Sequence, residues 1–253
     1  GDHAFPDFFF FVPSVVVTFD HTAGNMTVAG EKRFIEDVVR VVRNLLDARE
    51  NTAPASSFSS QSIIGNVQSN FNKDKYIEAV HKAKEYVLAG DSFQIKLSQR
   101  FSFDVDDALE CSLVYERLRT LNPSPYSVFA RFGNLEVLSC SPEHLVSRRG
   151  TVVNTTPIGG TYPYRTGERD EEILKAFSSD EKEVAEHAML IDLERNDLGK
   201  VCVPGSVHVA DFMRIEKYSH LVHIVTNIVG TLEPQKGTVD LLKAMFHGGT
   251  VTG

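Results

Sequence analysis

The chain has 253 residues, a formal net charge of −8 and 42% hydrophobic residues, enough apolar material for one large domain or two small ones. The acidic balance, with no Lys/Arg run longer than two, argues against a nucleic-acid groove, which needs a clustered basic face. Three widely spaced cysteines, Cys111, Cys140 and Cys202, argue against both a disulfide framework and a zinc site. The pattern is that of a reduced, cytoplasmic chain. "FFFFV" at 8–12 is too short to span a bilayer, and the N-terminus lacks the basic region of a signal peptide.

Residues 8–20, aromatic and β-branched, predict a buried strand. Residues 31–50 predict a helix with Phe34, Val38, Val41, Val42 and Leu45 on one stripe. The Ser/Ala/Pro-rich stretch 51–62 predicts a linker or long loop. A second helix is expected from an N-cap at Asp74 to Gly90, with Tyr76, Ala79, Val80, Ala83 and Val87 as its stripe. Residues 93–98 alternate, with Phe93, Ile95 and Leu97 opposite Gln94, Lys96 and Ser98, and predict a half-buried strand. A helix over 106–121 stops at "NPSP". Residues 126–156 predict an antiparallel meander turning at 133–134 and 148–150. "NTTPIGGTYPYR" at 154–165 reads as a tight bend. A helix over 179–195, a strand through "SHLVHIVTNIVGTL" and a short helix over 237–246 complete the series. Successive antiparallel strands with helices between them point to an α+β fold. Neither GxGxxG nor a Walker A motif is present.

On the helix "DEKEVAEHAMLIDLERNDLG", Ser178 with Glu181 resembles a capping box, and Gly199 lies past the end. Glu183, Glu186, His187, Leu190 and Glu194 share one face, and Val184, Ala185, Ala188 and Ile191 the other. Glu183 and Glu186 stand at i,i+3, so their carboxylates converge. That pair suits a hard cation such as Mg²⁺; the same pattern also describes a solvated acidic face. Glu143, where a strand would begin, suits a general acid in a pocket or a surface turn. His223, on a face with Leu221 and Val225, suits a catalyst or a satisfied core histidine; His220 lies in the same stretch. Gln94 can hold a nucleophile or substrate oxygen but cannot act as a base. In "PIGGT", glycine lets the backbone approach a ligand closely, and free N–H groups make an anion cradle to which Thr161 adds a hydroxyl.

Taken in order, "FQIKLSQRF", "NPSPYSVF", "SCSPEHLVSRRG", "TTPIGGTYP", "DEKEVAEHAMLIDLERNDLGKVCVPGSV", "IEKYSHLVHIVTNIVG" and "FHGGTVTG" resemble the chorismate-binding enzymes. Within them the chain is most similar to the large components of anthranilate synthase and aminodeoxychorismate synthase. The resemblance runs from about residue 70 to 253. It implies a large α/β sandwich of antiparallel sheets with outer helices, here as a truncated fragment. Residues 1–50 would enter the core, 51–69 would form a Ser-rich linker, and 70–253 would form the chorismate-binding core without its C-terminal part. The family continues with further metal-binding glutamates, a tyrosine and a substrate arginine, so the 253 residues alone are expected not to turn over chorismate.

The resemblance also implies roles. Glu183 and Glu186 would hold Mg²⁺ against the ring carboxylate of chorismate. Gly160 and Thr161 would contact the substrate carboxylate or enolpyruvyl region. Glu143 would be the general acid for the departing C4 hydroxyl, and His223 would lie beside the ring. Pro125, Tyr126 and Ser127 would match the retained half of an effector site. Water-adding members carry a lysine base where Gln94 stands, so Gln94 favours ammonia as nucleophile. Many para-aminating members carry a nucleophilic lysine where Gly159 stands, which favours the ortho product, anthranilate. Para-amination and a non-catalytic chorismate- or effector-binding subunit are the alternatives. Without a glutaminase module in the sequence, ammonia would come free or from a glutamine amidotransferase subunit. No nucleic-acid or membrane partner is expected.

Overall fold

The computed structural model describes residues 9–49, 65–105, 109–163, 167–218 and 221–249. The chain divides into two units, 1–63 and 64–253. In the first, β1 (Val15–Asp20) and β2 (Asn25–Gly30) form an antiparallel hairpin, followed by α1 (Lys32–Arg49). Asp20 Oδ1 closes the hairpin turn by accepting the Thr22 and Ala23 N–H groups, both at 2.9 Å. The expected strand over 8–20 is therefore shorter, and it is not buried: among the described residues Phe9–Val12 are exposed and outside any strand. Of the α1 stripe, Val38 and Val42 are half-buried, whereas Phe34, Val41 and Leu45 face outward. The expected loop at 51–62 lies outside the described residues.

The second unit begins with β3 (Gln68–Ser69), α2 (Lys73–Ala89), β4 (Phe101–Ser102) and α3 (Cys111–Leu121). α2 is capped by Asn72, whose side chain accepts the Lys75 N–H at 2.9 Å, and not by Asp74, which sits in the first turn. Gly90 closes it in the left-handed conformation, as expected. Residues 93–98 form no strand; the pairing falls later, between β3 and β4, and Phe93 is 92% exposed. Alternation describes which side chains diverge, but a strand also needs a partner, and the neighbouring backbone here pairs one step downstream. The first residues of the expected 106–121 helix lie outside the described ones, and α3 starts at Cys111.

β5 (Tyr126–Phe132) and β6 (Leu135–Ser141) form a hairpin about Gly133. β7 (Ser147–Arg149) and β8 (Val152–Thr155) form another about Gly150. The turns are those expected, but the meander is not continuous: the two hairpins belong to different sheets. Then come β9 (Ile158–Pro163), α4 (Asp170–Ser178), α5 (Glu181–Gly199), β10 (His208–Lys217), β11 (Leu221–Thr231) and α6 (Thr238–Met245). β11 organises the main sheet. It pairs with β10 along one side; on the other, β8 takes its second half and β9 its first, all antiparallel. Val222 to Thr226 are consequently all buried, the continuous pattern of a strand covered on both faces.

α5 packs on β9 and β11, with α4 and α6 beside it. One core cluster joins Val153, Ile191, Leu198, Ile228, Leu241 and Met245; a second joins Ile173, Phe177, Val222 and Ile224. The fold is α+β. All three cysteines are free thiols. Among the described residues no helix is long and apolar enough to cross a membrane.

Candidate active site

The "PIGGT" stretch is a strand and not a tight bend. β9 pairs with β11 as Ile224↔Gly159 and His223↔Thr161, so Gly160 is the extra residue of a β-bulge. Its φ of 66° is the left-handed conformation that glycine adopts without a Cβ penalty. A Cβ on Gly160 would also stand 2.9 Å from the ring of buried Phe177. The bulge re-aims the strand, and three neighbouring residues of β9 then gather groups from distant parts of the sequence.

Ile158 N–H donates to Glu143 Oε1 at 3.0 Å. Glu143 lies in the connection after β6 and does not begin a strand. At Thr161, the hydroxyl meets His223 Nδ1 at 3.1 Å, and the same nitrogen lies 3.4 Å from the Gly160 carbonyl oxygen. A carbonyl only accepts, so this arrangement puts the proton on Nδ1 and leaves Nε2 as the basic nitrogen. His223 is 8% exposed, with the Tyr218 ring edge-on at 5.2 Å. Burial and the Glu216 carboxylate that accepts the Tyr218 hydroxyl hold that phenol protonated. His220 lies outside the described residues.

Gly159 faces α5. An ideal Cβ there would fall 2.1 Å from His187 Nδ1 and 2.3 Å from Cγ. His187 is fully buried, Nε2 lies 2.7 Å from the Thr226 hydroxyl, and Nδ1 has no hydrogen-bond partner among the described residues. Burial lowers its pKa, so the ring is neutral. Gly159→Ala is therefore expected to destabilise the fold by about 1–3 kcal/mol through overpacking. The His187→Gly background should remove most of that cost, because the His187 Cβ alone would stand 2.6 Å from the new methyl, and urea unfolding of the four corners of the cycle checks it.

α5 starts at Asp180, whose Oδ1 accepts the Lys182 and Glu183 N–H groups at 3.1 and 3.2 Å. Ser178 ends α4 instead of capping α5, and Gly199 is still helical. The buried stripe is His187, Leu190, Ile191, Glu194 and Leu198, which keeps His187, Leu190 and Glu194 on one face as expected and adds Ile191 from the face set opposite. Three residues of the polar-looking face thus point into the fold. Glu183 and Glu186, one turn earlier, remain half-buried, and Lys182 Nζ lies 3.3 Å from Glu183 Oε1 and 3.8 Å from Glu186 Oε2. One ammonium reaches both carboxylates, so they converge on a common cationic point. That donor set suits a hard cation held by one or two carboxylates together with substrate oxygens. Among the described residues no group of three or more His, Cys, Asp or Glu side chains is placed to hold a metal ion. Gln94 Nε2 donates to Glu186 Oε1 at 2.7 Å, and both line a cleft of about 930 Å³ with Phe93, Met189 and Leu193.

The structure thus joins Glu143, Gly160, Thr161 and His223 through β9, and Gln94 with Glu186 at the cleft. α5 links the groups, because Glu186 precedes the His187 that packs on Gly159. Pro125, Tyr126 and Ser127 stand at the start of β5, and the Tyr126 ring lies 4.9 Å from that of His144, next to Glu143. The Ser127 hydroxyl is engaged locally with the Ser124 carbonyl oxygen at 2.8 Å.

Sequence reasoning assigned no role to Glu194, His187 or Thr155. For His187 and Glu194 the available signal is the spacing 187-190-191-194-198 along α5, but only the sheet beneath shows that this face is inward; Thr155, at the end of β8, carries no such signal. Glu194 is 5% exposed, and burial, with opposition from the Glu143 and Asp197 carboxylates, pushes its pKa up to about 7.

The family profile described as chorismate binding enzyme matches residues 1–253. The chain is 38% identical to anthranilate synthase component 1 of Acetivibrio thermocellus over 266 residues, covering 100% of this chain and 53% of that protein. It is also 38% identical to aminodeoxychorismate synthase component 1 of Bacillus subtilis over 253 residues, covering 98% and 53%. The crystal structure of anthranilate synthase component I from Streptococcus pneumoniae matches with a TM-score of 0.76 at 32% identity, covering 95% of this chain and 54% of that one. The chain spans about half the length of these relatives. A profile that matches throughout, together with the shared fold, places the chain in the chorismate-binding enzyme family.

Proposed function

We propose that the complete protein aminates chorismate to anthranilate, with ammonia from a glutamine amidotransferase partner. The observation that carries amination over hydration is Gln94, whose Nε2 donates one hydrogen bond to Glu186 and which has no basic atom to activate water. Ammonia needs no such base. Its lone pair forms the bond to C2, the ring double bonds shift, and the C4–O bond breaks. Glu143 gives its proton to the departing hydroxyl, which leaves as water, and the ammonium formed at C2 loses one proton to solvent, from which Glu143 is reprotonated. In the second step C2 loses a proton, for which we assign His223 Nε2 as acceptor. The C3–O bond breaks, the ring becomes aromatic, and the enolpyruvate takes up a proton to leave as pyruvate. Glu183 and Glu186 would hold Mg²⁺, which when bound supplies positive charge against the ring carboxylate. Gly160 and Thr161 would border the substrate's carboxylates.

Gly159 supports the ortho product. A nucleophilic lysine is absent there, and the space a side chain would need is filled by His187. Two relatives of equal identity carry the ortho and para names, so product identity is the deciding experiment. Purified protein is incubated with chorismate, Mg²⁺ and ammonium, and products are separated by chromatography with fluorescence detection. Anthranilate supports the proposal; aminodeoxychorismate or isochorismate refutes it. For the metal assignment, Glu183→Gln is expected to weaken Mg²⁺-dependent chorismate binding by about tenfold or more. Calorimetry with and without Mg²⁺ measures this, and unchanged affinity would remove Glu183 from the metal site.

A further inference from the structure

The connection carrying Glu143 is tied to the start of the β8–β9 edge at three successive residues. Glu143 Oε1 accepts from Ile158 N–H at 3.0 Å, His144 Nδ1 meets the Thr156 hydroxyl at 3.1 Å, and the Leu145 carbonyl oxygen accepts from the Thr155 hydroxyl at 2.9 Å. The Thr155 oxygen also contacts Glu194 Oε2 from α5, in a buried setting where Thr155 is 1% exposed. A hydroxyl has one proton. If Glu194 is ionised, its buried carboxylate and the part-buried Leu145 carbonyl are both acceptors competing for that one proton, and a buried charge is left without it. If Glu194 carries a proton, it donates to Thr155 Oγ1, Thr155 donates to Leu145, and every group is satisfied.

We propose that Glu194 is held as the neutral acid and, acting through Thr155, is a positioning residue for Glu143. The inference rests on the assignment of Glu143 as general acid. Ionisation of Glu194 releases its proton to solvent, draws the Thr155 hydroxyl away from Leu145, and loosens the segment that holds Glu143 on β9. The ionisable groups bearing on Glu194 are Glu143 from the facing connection and Asp197 on its own helix, the latter paired with Lys200 at 2.7 Å. Burial opposes ionisation first, and negative charge on Asp197, or on Glu143 once it has given up its proton, adds to it, in agreement with a Glu194 pKa near 7. The folded chain then keeps a proton that the unfolded chain releases around 4.5. Stability is lost as pH rises between those values, and E194Q, which has no carboxyl to ionise, does not show that loss.

The test follows the complete protein by NMR without substrate. Two signals are read against pH: the glutamate side-chain carboxyl carbons, and the backbone amide of Ile158, which reports on Glu143 through its hydrogen bond. In wild type, one carboxyl should titrate near 7, and the Ile158 amide should shift with the same midpoint. E194Q, whose amide can still donate to Thr155, should lose both transitions. T155V should keep the carboxyl transition and lose most of the Ile158 shift, while T155S restores it. Glutamates that all titrate in the ordinary carboxylate range overturn the proposal. So does an Ile158 shift in T155V as large as in wild type. Neither signal involves chorismate, so these outcomes are separate from any failure of the amination assay.

Discussion

Glu143→Gln is expected to lower kcat for chorismate amination by about 10²–10⁴-fold, the usual contribution of a positioned general acid. The substitution is chosen because the Ile158 N–H that donates to Glu143 Oε1 can donate equally to a glutamine amide oxygen. Position is kept and only the transferable proton is lost. The C4 hydroxyl must then depart unprotonated, a much poorer leaving group. Anthranilate formation by the complete protein measures the rate, and circular dichroism verifies the fold. KM should change little, since the hydrogen-bond framework stands. A loss below tenfold in a folded variant would mean that Glu143 is not the acid.

Phe177→Ala is expected to destabilise the protein by about 3–5 kcal/mol, the range for removing a fully buried aromatic ring. Phe177 is 0% exposed and lies at the meeting point of α4, α5 and β9. Its ring is edge-on to Tyr162 at 6.4 Å and to His187 at 5.9 Å, and it is the surface against which Gly160 closes. The cavity left by alanine would lie directly under the bulge that turns Thr161 toward His223. Urea unfolding should show a lower midpoint with an unchanged slope. Phe177→Leu, which fills most of the volume, should recover much of the loss. A change under about 1 kcal/mol for the alanine variant would show that this contact does not support the strand.

Local signals in the sequence sufficed where structure is local. The stripe and C-terminal glycine of α2, the short helix at α6, the glycine turns at 133 and 150, and the extended β-branched run of β11 all concern neighbours a few residues apart, whose geometry the backbone imposes by itself. The motif order also determined the family. The strands β9 and β10 and the helix α4 were not legible in the same way. β9 carries two glycines and a proline-bounded stretch that by propensity is a turn; it is a strand because β11 supplies the hydrogen bonds. Residues 93–98 show the converse, an alternating pattern with no strand beneath it.

The candidate site divides along the same line. Glu183, Glu186, Glu143, His223, Gly160, Thr161 and Gln94 were each visible as residue types in suggestive contexts. Their convergence was not, because it comes from tertiary contacts between distant segments: strand pairing sets Thr161 against His223, 62 residues away, and a side-chain hydrogen bond sets Gln94 against Glu186, 92 residues away. On α5 the helical period was readable, but period does not choose the inward face. The sheet does, and it turned His187 and Glu194 inward. Burial there makes charge costly, and that cost gives Gly159 a neutral histidine to pack against and Glu194 a reason to keep its proton. The sequence determined which chemical groups are available and which helices carry them. Tertiary packing decided which groups meet and which lose their water, and proton affinity and hydrogen-bond satisfaction follow from that loss.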